Sequence, residues 1–264
     1  MAPDAVDTNE PPKAKSGLLT PSHVDGEWTP NTVLSTLPRQ PQTGSSSPLP
    51  FFHLLERLKT TKREGWRRFD INHGESISDH MYRMSIITML CPPALSSRLD
   101  IARCTRMALI HDMAEALVGD ITPVDGVTKV EKSRREMETM EYMTKSLLGN
   151  VKGGKAGEEM MKVWQEYEDS ETEESKFVHD VDKMELLLQM VEYERAHDGR
   201  VDLGEFSRVA KRIVLPEVQE WAAEVLRDRE EFWKSRGKEP TGFREIGVEL
   251  RKAQDEYYGN GTSA

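Results

Sequence analysis

The segment from about residue 172 to residue 198 carries the feature that most limits how this chain can fold. Apolar residues recur along it at spacings of 4, 3, 4 and 3 residues, as Phe177, Val181, Met184, Leu188 and Val191. Because an α-helix completes a turn in about 3.6 residues, this spacing places all five on one face. The pattern predicts a long helix packed against a core, ended at Gly199.

Helical signals continue along most of the chain after residue 50. Ser76 with Asp79 three residues later is a capping box, which predicts the start of a helix that Pro92 ends. Asp100 can cap another helix, predicted to end near Gly119. Further helices are predicted at about 51–58, 129–148, 156–168, 205–214, 216–236 and 243–257. No segment alternates polar and apolar residues between turn signals, so we predict an all-α fold, a single helical bundle.

The first 50 residues differ in composition from the rest of the chain. They hold nine of the 14 prolines, end in TGSSSPLP and show no helical period. A segment with so few apolar side chains cannot build a core, which predicts a disordered tail over residues 1–48. A docking or targeting tail is the functional alternative. Residues 49–264 would then form one domain.

The charge and cysteine content limit the partners and the compartment. A net charge of -10 repels nucleic-acid backbones and anionic lipids, so neither a nucleic acid nor a membrane is an expected partner. A small anionic substrate stays compatible if a bound cation reverses the field locally. The two cysteines favour a reducing compartment, and neither a signal peptide nor an apolar run of about 18 residues is seen. We expect an intracellular protein, in the cytoplasm or alternatively the nucleus.

The stretch LIHDMAEALVGDI, residues 109–121, places ionisable side chains in apolar surroundings. On a helix, His111 and Glu115 are neighbours because they are four residues apart, while Asp112 points about 100° away from His111. A carboxylate on an apolar face is costly unless a positive charge lies beside it. Either a buried ion pair or a metal ion would satisfy Asp112.

Two other segments can supply further metal ligands. His80 lies early in the helix that Ser76 begins, and Asp182 follows Val181 of the apolar stripe, so it borders a buried face. With His111 and Asp112 they offer two imidazoles and two carboxylates. Such a set suits Mn²⁺, Fe²⁺, Co²⁺ or Zn²⁺ better than Ca²⁺.

Other charged segments have simpler interpretations. The pairs His179-Asp180 and His197-Asp198 are expected on solvated helix surfaces. In the alternative, one of them has a direct role in the site, and His179 is the better candidate because it lies three residues before Asp182. The segment EKSRRE, residues 131–136, is expected to be an exposed helix face with charge pairs four residues apart. In the alternative, one of its cations reaches a phosphate group.

The order of these motifs resembles a known family. His80, then His111-Asp112, then Asp182 is similar to the H…HD…D pattern of HD-domain metal-dependent phosphohydrolases. The segments GWRRF, ESISDHMYRM, ALIHDMAEALVGDITP, EKSRREMETM and VDKMELLLQMVEYE further resemble the HD-domain-containing protein 2 family of 5'-deoxynucleotidases, related to the bacterial YfbR-type enzymes. The resemblance covers about residues 51–236.

The resemblance implies roles for individual residues. It implies that His80, His111, Asp112 and Asp182 hold a first divalent ion, which could be Mn, Co, Fe, Zn or Mg. Glu115 and Asp120 would act as acid and base, or would hold a second hydrated ion with the carbonyl of Ile121. Trp66 would lie against the deoxyribose; alternatively it is a core aromatic residue. The bacterial enzymes have an arginine immediately before this tryptophan, and this chain has Gly65, so Arg63, Arg67 or Arg68 would bind the phosphate instead.

The function implied by the resemblance is hydrolysis of deoxyribonucleoside 5'-monophosphates to deoxynucleoside and phosphate, by a homodimer. Two alternatives stay open. Another HD-type hydrolase acting on cyclic nucleotides, nucleoside triphosphates or guanosine tetraphosphate would share the same ligands. A non-catalytic scaffold would keep the metal only for folding, an interpretation that the presence of Glu115 and Asp120 disfavours.

Overall fold

The computed structural model describes residues 27–241, and this part of the chain is mainly helical. The α-helices are α1 Pro30–Leu34, α2 Leu49–Thr60, α3 Glu64–Arg67, α4 Ile77–Met89, α5 Pro93–Ser96, α6 Ile101–Ala108, α7 Glu115–Val118, α8 Lys129–Glu141, α9 Lys155–Asp169, α10 Glu173–Ala196 and α11 Pro216–Ser235. Within this range the β pairing is one isolated bridge between Lys62 and Ser76. The predicted all-α fold is confirmed.

Helix α10 is the element around which the bundle is arranged. It packs against α4, α6, α9 and α11 and against the 3-10 segment Gly204–Arg212. Four of the five residues of its predicted stripe are buried, and Leu188 is partly buried against the same core. The helix ends where predicted, since Gly199 has a φ of 65° and its N–H bonds to the carbonyl of Glu194.

Helix α4 lies beside α10 and begins at the predicted capping box. The Ser76 side chain accepts a hydrogen bond from the backbone N–H of Asp79, and the Asp79 side chain accepts one from the N–H of Ser76. Two of the helix's orphan N–H groups are thereby satisfied. Since α4 also packs against α6, the three helices form the wall that carries the ionisable residues.

The helix predicted from Asp100 to about Gly119 is interrupted, which corrects the sequence-based prediction. Helix α6 ends at Ala108, and residues 109–114 are turns before α7 begins. The backbone bonds there span three residues, from Met113 N–H to Ile110 O and from Glu115 N–H to Asp112 O. This tighter winding changes the directions of the side chains relative to a continuous α-helix.

The boundary predicted at residue 48 is wrong for residues 27–48. Thr29 caps the short helix α1, and Trp28, Val33 and Leu34 are buried in the core. The Arg134 guanidinium donates to the Trp28 carbonyl at 3.0 Å. The apolar residues between the prolines therefore add to the bundle, although their composition is typical of disorder. Residues 1–26 and the helix predicted at 243–257 lie outside the described residues.

Two other helix predictions need correction. The one at about 129–148 is α-helical only to Glu141 and continues as a π-helical segment, Tyr142–Leu147. The one at about 205–214 is the 3-10 segment Gly204–Arg212. No helix within residues 27–241 is both long enough and apolar enough to cross a bilayer.

Candidate active site

A cavity beside α10 gathers most of the residues that the sequence singled out. Its lining includes Arg63, Trp66, His111, Asp112, Glu115, Asp120, Ile121 and Asp182. These residues come from α3 and the residue before it, from the turns between α6 and α7, from α7 and the loop after it, and from α10. His80 of α4 is fully buried behind this lining.

The two imidazoles each have one ring nitrogen bonded and the other directed to the same place. His80 Nδ1 lies 2.6 Å from Glu185 Oε2, and His111 Nδ1 lies 3.0 Å from the carbonyl oxygen of Ala108. Since a carbonyl oxygen only accepts, His111 carries its hydrogen on Nδ1, which leaves a lone pair on Nε2. Both Nε2 atoms are buried and have no hydrogen-bond partner.

Two carboxylates face these ring nitrogens. Asp112 Oδ2 lies 3.2 Å from His111 Nε2 and 3.8 Å from His80 Nε2. Asp182 Oδ1 lies 3.2 Å from His80 Nε2. These distances are within the range of ion pairs, yet neither Nε2 atom has a hydrogen-bond partner.

This donor set fits a divalent cation. Ligand atoms of His80, His111 and Asp112 all lie within 4.8 Å of one another, and Asp182 adds a carboxylate on the His80 side. Buried imidazole nitrogens without a partner are costly unless a cation or a proton binds there. Nitrogen and oxygen ligands in this ratio suit first-row transition ions.

Without a bound metal ion, a proton on His80 supplies part of the positive charge that the carboxylates require. Burial by itself lowers the pKa of His80, but the carboxylates of Glu185 and Asp182 outweigh it and raise that pKa to about 10. Burial likewise opposes ionisation of Asp112 and Asp182, and the neighbouring histidines with Arg63 hold both pKa values well below their usual range. A cation would therefore replace a proton on His80 and find carboxylates already ionised.

Glu115 and Asp120 lie in the same cavity with different surroundings. Burial, and then the carboxylates of Asp112 and Asp120, raise the pKa of Glu115 well above its usual range. Its Oε1 lies 3.9 Å from Lys132 Nζ, and its Oε2 is buried without a hydrogen-bond partner. Asp120 Oδ2 accepts a hydrogen bond from the Glu64 backbone N–H at 2.7 Å. Glu115 is thus suited to carry a proton.

The arginines near α3 separate into different positions. The Arg63 guanidinium lies 3.4 Å from Asp112 Oδ2 and is also close enough to Asp120 and Asp182 to be affected by their charges. Arg67 instead donates to both carboxylate oxygens of Glu64, and it is not part of the cavity lining. The structure therefore does not bring Arg67 to the site. Arg68 reaches the lining but is paired with Glu205 at 2.8 Å.

Trp66 is held firmly at the edge of the cavity. Its indole N–H donates to Glu75 Oε1 at 2.9 Å, and its ring contacts Tyr193 edge-on at 5.3 Å and Phe206 at 4.6 Å between centroids. It is 2% exposed, so most of the ring belongs to the core and only a part faces the cavity. The indole N–H is the only polar hydrogen of the ring, and its bond to Glu75 leaves none for a ligand.

Comparison with known proteins now identifies the family. A family model described as HD domain matches residues 55–222. The chain belongs to the HD domain family. That span contains all the residues of the candidate site described above.

Relatives with this HD domain match most of the chain. The chain is 46% identical over 192 residues to 5'-deoxynucleotidase hdd1 of Schizosaccharomyces pombe, and the match covers 72% of this chain and 94% of the relative. It is 40% identical over 213 residues to 5'-deoxynucleotidase YGK1 of Saccharomyces cerevisiae, covering 79% and 96%. The solved structure of HD domain-containing protein YGK1 is similar with a TM-score of 0.57 and 32% identity, covering 78% of this chain and 100% of that one.

The sequence-based prediction omitted one residue of this HD domain site and placed others at the surface. Glu185, which holds His80, was not considered, although it lies three residues after Asp182. His179 was expected on a solvated surface, but it lines the cavity and stacks on Tyr167 with a centroid distance of 3.9 Å. Burial lowers the pKa of His179 to about 4. Tyr167 in turn contacts the His111 ring, so the Tyr167 and His179 rings support His111 from one side.

Asp180 was also wrongly expected at the surface. It is buried and accepts hydrogen bonds from the backbone N–H groups of Val214 and Leu215. Helix α11 begins at Pro216 without a side-chain cap of its own, so Asp180 of α10 supplies acceptors just ahead of it. Asp198, by contrast, lies at the surface as predicted.

The EKSRRE segment lies on α8, and its charged residues have two kinds of surroundings. Arg135 pairs with Glu131 four residues away, as predicted, and Arg134 pairs with Glu131 too, but all three are partly buried and Glu136 is buried, so the face is less exposed than predicted. Lys132 lines the cavity, with its ammonium 3.4 Å from Glu136 Oε1 and near Glu115. One cation of the segment therefore reaches the site.

Proposed function

We propose that this chain is a metal-dependent 5'-deoxynucleotidase that hydrolyses deoxyribonucleoside 5'-monophosphates to deoxynucleoside and phosphate. The observation that carries the proposal is the pair of buried, unpartnered Nε2 atoms of His80 and His111, directed at Asp112 and Asp182 beside the cavity. The names and high coverage of the relatives support the substrate class.

In this proposal, His80, His111, Asp112 and Asp182 hold the divalent ion. When bound, the ion supplies positive charge for the phosphoryl oxygens and makes water more acidic. The protein's own residues bind the phosphate, position the substrate and move protons. Water is the nucleophile, so no covalent phosphoenzyme is required.

Glu115 is the proposed general acid. It sits one turn from the ligand pair, and its raised pKa keeps it protonated where an ordinary glutamate is ionised. It can therefore give a proton to the 5'-oxygen of the departing nucleoside. Asp120 would accept a proton from water. In the alternative arrangement Glu115, Asp120 and the carbonyl of Ile121 hold a second hydrated ion.

Arg63 is the proposed phosphate ligand among the arginines near Trp66. Its guanidinium already lies beside Asp112 and lines the cavity, and a planar guanidinium suits paired phosphate oxygens. The Trp66 ring would pack against C2' of the sugar. Because its N–H is bonded to Glu75, the indole offers neither a donor nor an acceptor to a 2'-hydroxyl.

The direct test is phosphate release from a panel of nucleotides with Mn²⁺, Co²⁺, Fe²⁺, Zn²⁺ or Mg²⁺ added to metal-stripped protein. We expect release from the 5'-monophosphates dAMP, dGMP, dCMP and TMP, and at least about tenfold lower kcat/KM for AMP than for dAMP, since an unpaired 2'-hydroxyl costs about 1–3 kcal/mol. Activity confined to triphosphates or cyclic nucleotides would favour another HD-type hydrolase. Metal binding without any phosphate release would favour a scaffold.

We also propose that the protein is a homodimer, as the family resemblance implies. Tyr82, Ile86 and Met89 support this, because they form an apolar stripe on α4 and are 65%, 39% and 57% exposed. Light scattering coupled to gel filtration would give the mass in solution. The metal identity and the intracellular compartment stay predictions.

A further inference from the structure

The His80 ring lies between two carboxylates of the same helix. Asp182 faces its Nε2 at 3.2 Å, and Glu185 bonds its Nδ1 at 2.6 Å. The two acids are three residues apart on α10, so both lie on the face that meets α4. Helix α10 thus contacts both nitrogens of one imidazole from another helix.

Glu185 is itself fixed and shielded from water. Its side chain is 0% exposed, and Arg83, one turn after His80 on α4, donates to its second oxygen with Nε at 2.8 Å. The rest of the Arg83 guanidinium bonds to Gln189 and Glu192, again on α10. Every oxygen of Glu185 therefore has a partner, and the carboxylate cannot turn away from His80.

The other imidazole is held differently. His111 Nδ1 faces a neutral backbone carbonyl, that of Ala108. A hydrogen bond to a carbonyl fixes the tautomer, whereas a hydrogen bond to a carboxylate also increases the electron density of the ring and its basicity. His80 therefore has a charged support that His111 lacks.

We propose that Glu185 is a positioning residue that orients His80 and strengthens it as a metal ligand, an inference that rests on the metal site of the proposed function. With Nδ1–H donated to Glu185, the lone pair of Nε2 is directed at the space between Asp112 and Asp182. Supports of this kind typically change metal affinity by about 10- to 100-fold. Glu185 bonds the ring nitrogen of His80 that does not face Asp182, and it does not line the substrate cavity, so its effect passes through His80.

The test measures metal binding without any nucleotide. Metal-stripped wild-type protein and the Glu185→Gln variant are titrated with Co²⁺, and its visible absorption gives the Kd. Glutamine can still accept from Nδ1–H, but it lacks the charge, so we expect the Kd to rise by about 10- to 100-fold. Glu192→Gln is the matched control, because it removes the charge of another Arg83 partner that is half exposed and far from His80 in the network. Its Kd should equal that of wild type.

A purely structural role gives a different result. If Glu185 served only to join α4 to α10 through Arg83, Glu185→Gln would lower the Tm of the metal-free protein and leave the Kd for Co²⁺ within about twofold of wild type, which would overturn the proposal. If Glu185→Gln does not fold, Glu185→Asp decides by the same criterion, since it keeps the charge but withdraws the oxygens from His80. Absence of Co²⁺ binding by wild type would instead refute the metal site itself.

Discussion

Replacing Glu115 by glutamine tests its proposed role as a proton donor without disturbing the fold. The buried Glu115 side chain has two carboxylate neighbours, and its pKa is raised well above the usual range. Its protonated form is nearly the same shape as glutamine, and neither carries charge. We therefore expect Glu115→Gln to fold with an unchanged or slightly higher Tm, because no buried charge is introduced or left unpaired.

The expected cost to catalysis is large. A general acid contributes about 10²- to 10⁴-fold to rate, and glutamine cannot release a proton. We expect kcat on dAMP to fall by that factor, with binding of the first metal ion retained. The acid form exists below the raised pKa and is lost above it, so wild-type kcat should fall on the alkaline side. The variant should lack that fall.

A change of leaving group provides the decisive assay. p-Nitrophenolate leaves without a proton, so Glu115→Gln should slow hydrolysis of p-nitrophenyl phosphate far less than that of dAMP, by less than about tenfold. Glu136→Gln is the matched control, since Glu136 is also buried, also has a pKa raised by burial and also faces Lys132, at 3.4 Å. Its kcat should stay close to wild type. Equal losses of rate on both substrates for Glu115→Gln would refute the general-acid role.

Four further predictions concern Asp182, His80, the N-terminal segment and Trp66. Asp182→Ala should lose most of the roughly one metal ion per chain expected in purified protein, and full content by elemental analysis would remove Asp182 from the site. Because the pKa of His80 is about 10 in the metal-free protein, that ring is protonated below pH 10 and a metal ion must displace the proton. Calorimetry should therefore show that the apparent affinity for the metal ion falls about tenfold per pH unit as the pH decreases from about 8 to 6. Deleting residues 1–45 removes the buried Trp28 and should lower Tm by at least about 6 °C relative to the full chain, as a loss of about 3 kcal/mol or more requires. An unchanged Tm would show that α1 and Trp28 do not stabilise the bundle. Trp66→Ala should narrow the preference for dAMP over AMP mainly by lowering activity on dAMP, and an unchanged ratio would exclude contact with the sugar.

The helical architecture could be predicted from the sequence because helix signals are local. The stripe on α10 depends only on spacings of three and four residues, and the capping box at Ser76 joins side chains three residues apart. Both were found where predicted. The candidate metal ligands were also named from the sequence, because a histidine beside an aspartate in apolar surroundings requires a counter-charge, and the order of motifs resembles one family.

Other features depended on contacts between distant segments. Residues 27–48 have a composition typical of disorder, yet Trp28 is buried and its carbonyl accepts a hydrogen bond from Arg134 of α8, 106 residues away. Arg63 lines the cavity and Arg67 does not, because their side chains leave the start and the end of the short helix α3 in different directions, which composition does not give. The turns at residues 109–114 redirected His111 and Asp112 in a way that a regular helix does not.

The sequence by itself determined where most of the helices form and which residue types could hold a metal, since these follow from short-range periodicity and from the chemistry of single side chains. The tertiary structure alone decided which of the charged residues meet. His80 and Glu185 are 105 positions apart and become partners only because α4 packs on α10. Packing geometry of this kind arises from the whole core, so it brought His179 to the cavity, buried Asp180 beneath α11 and left Asp198 in solvent, although each belongs to the same His–Asp dipeptide pattern.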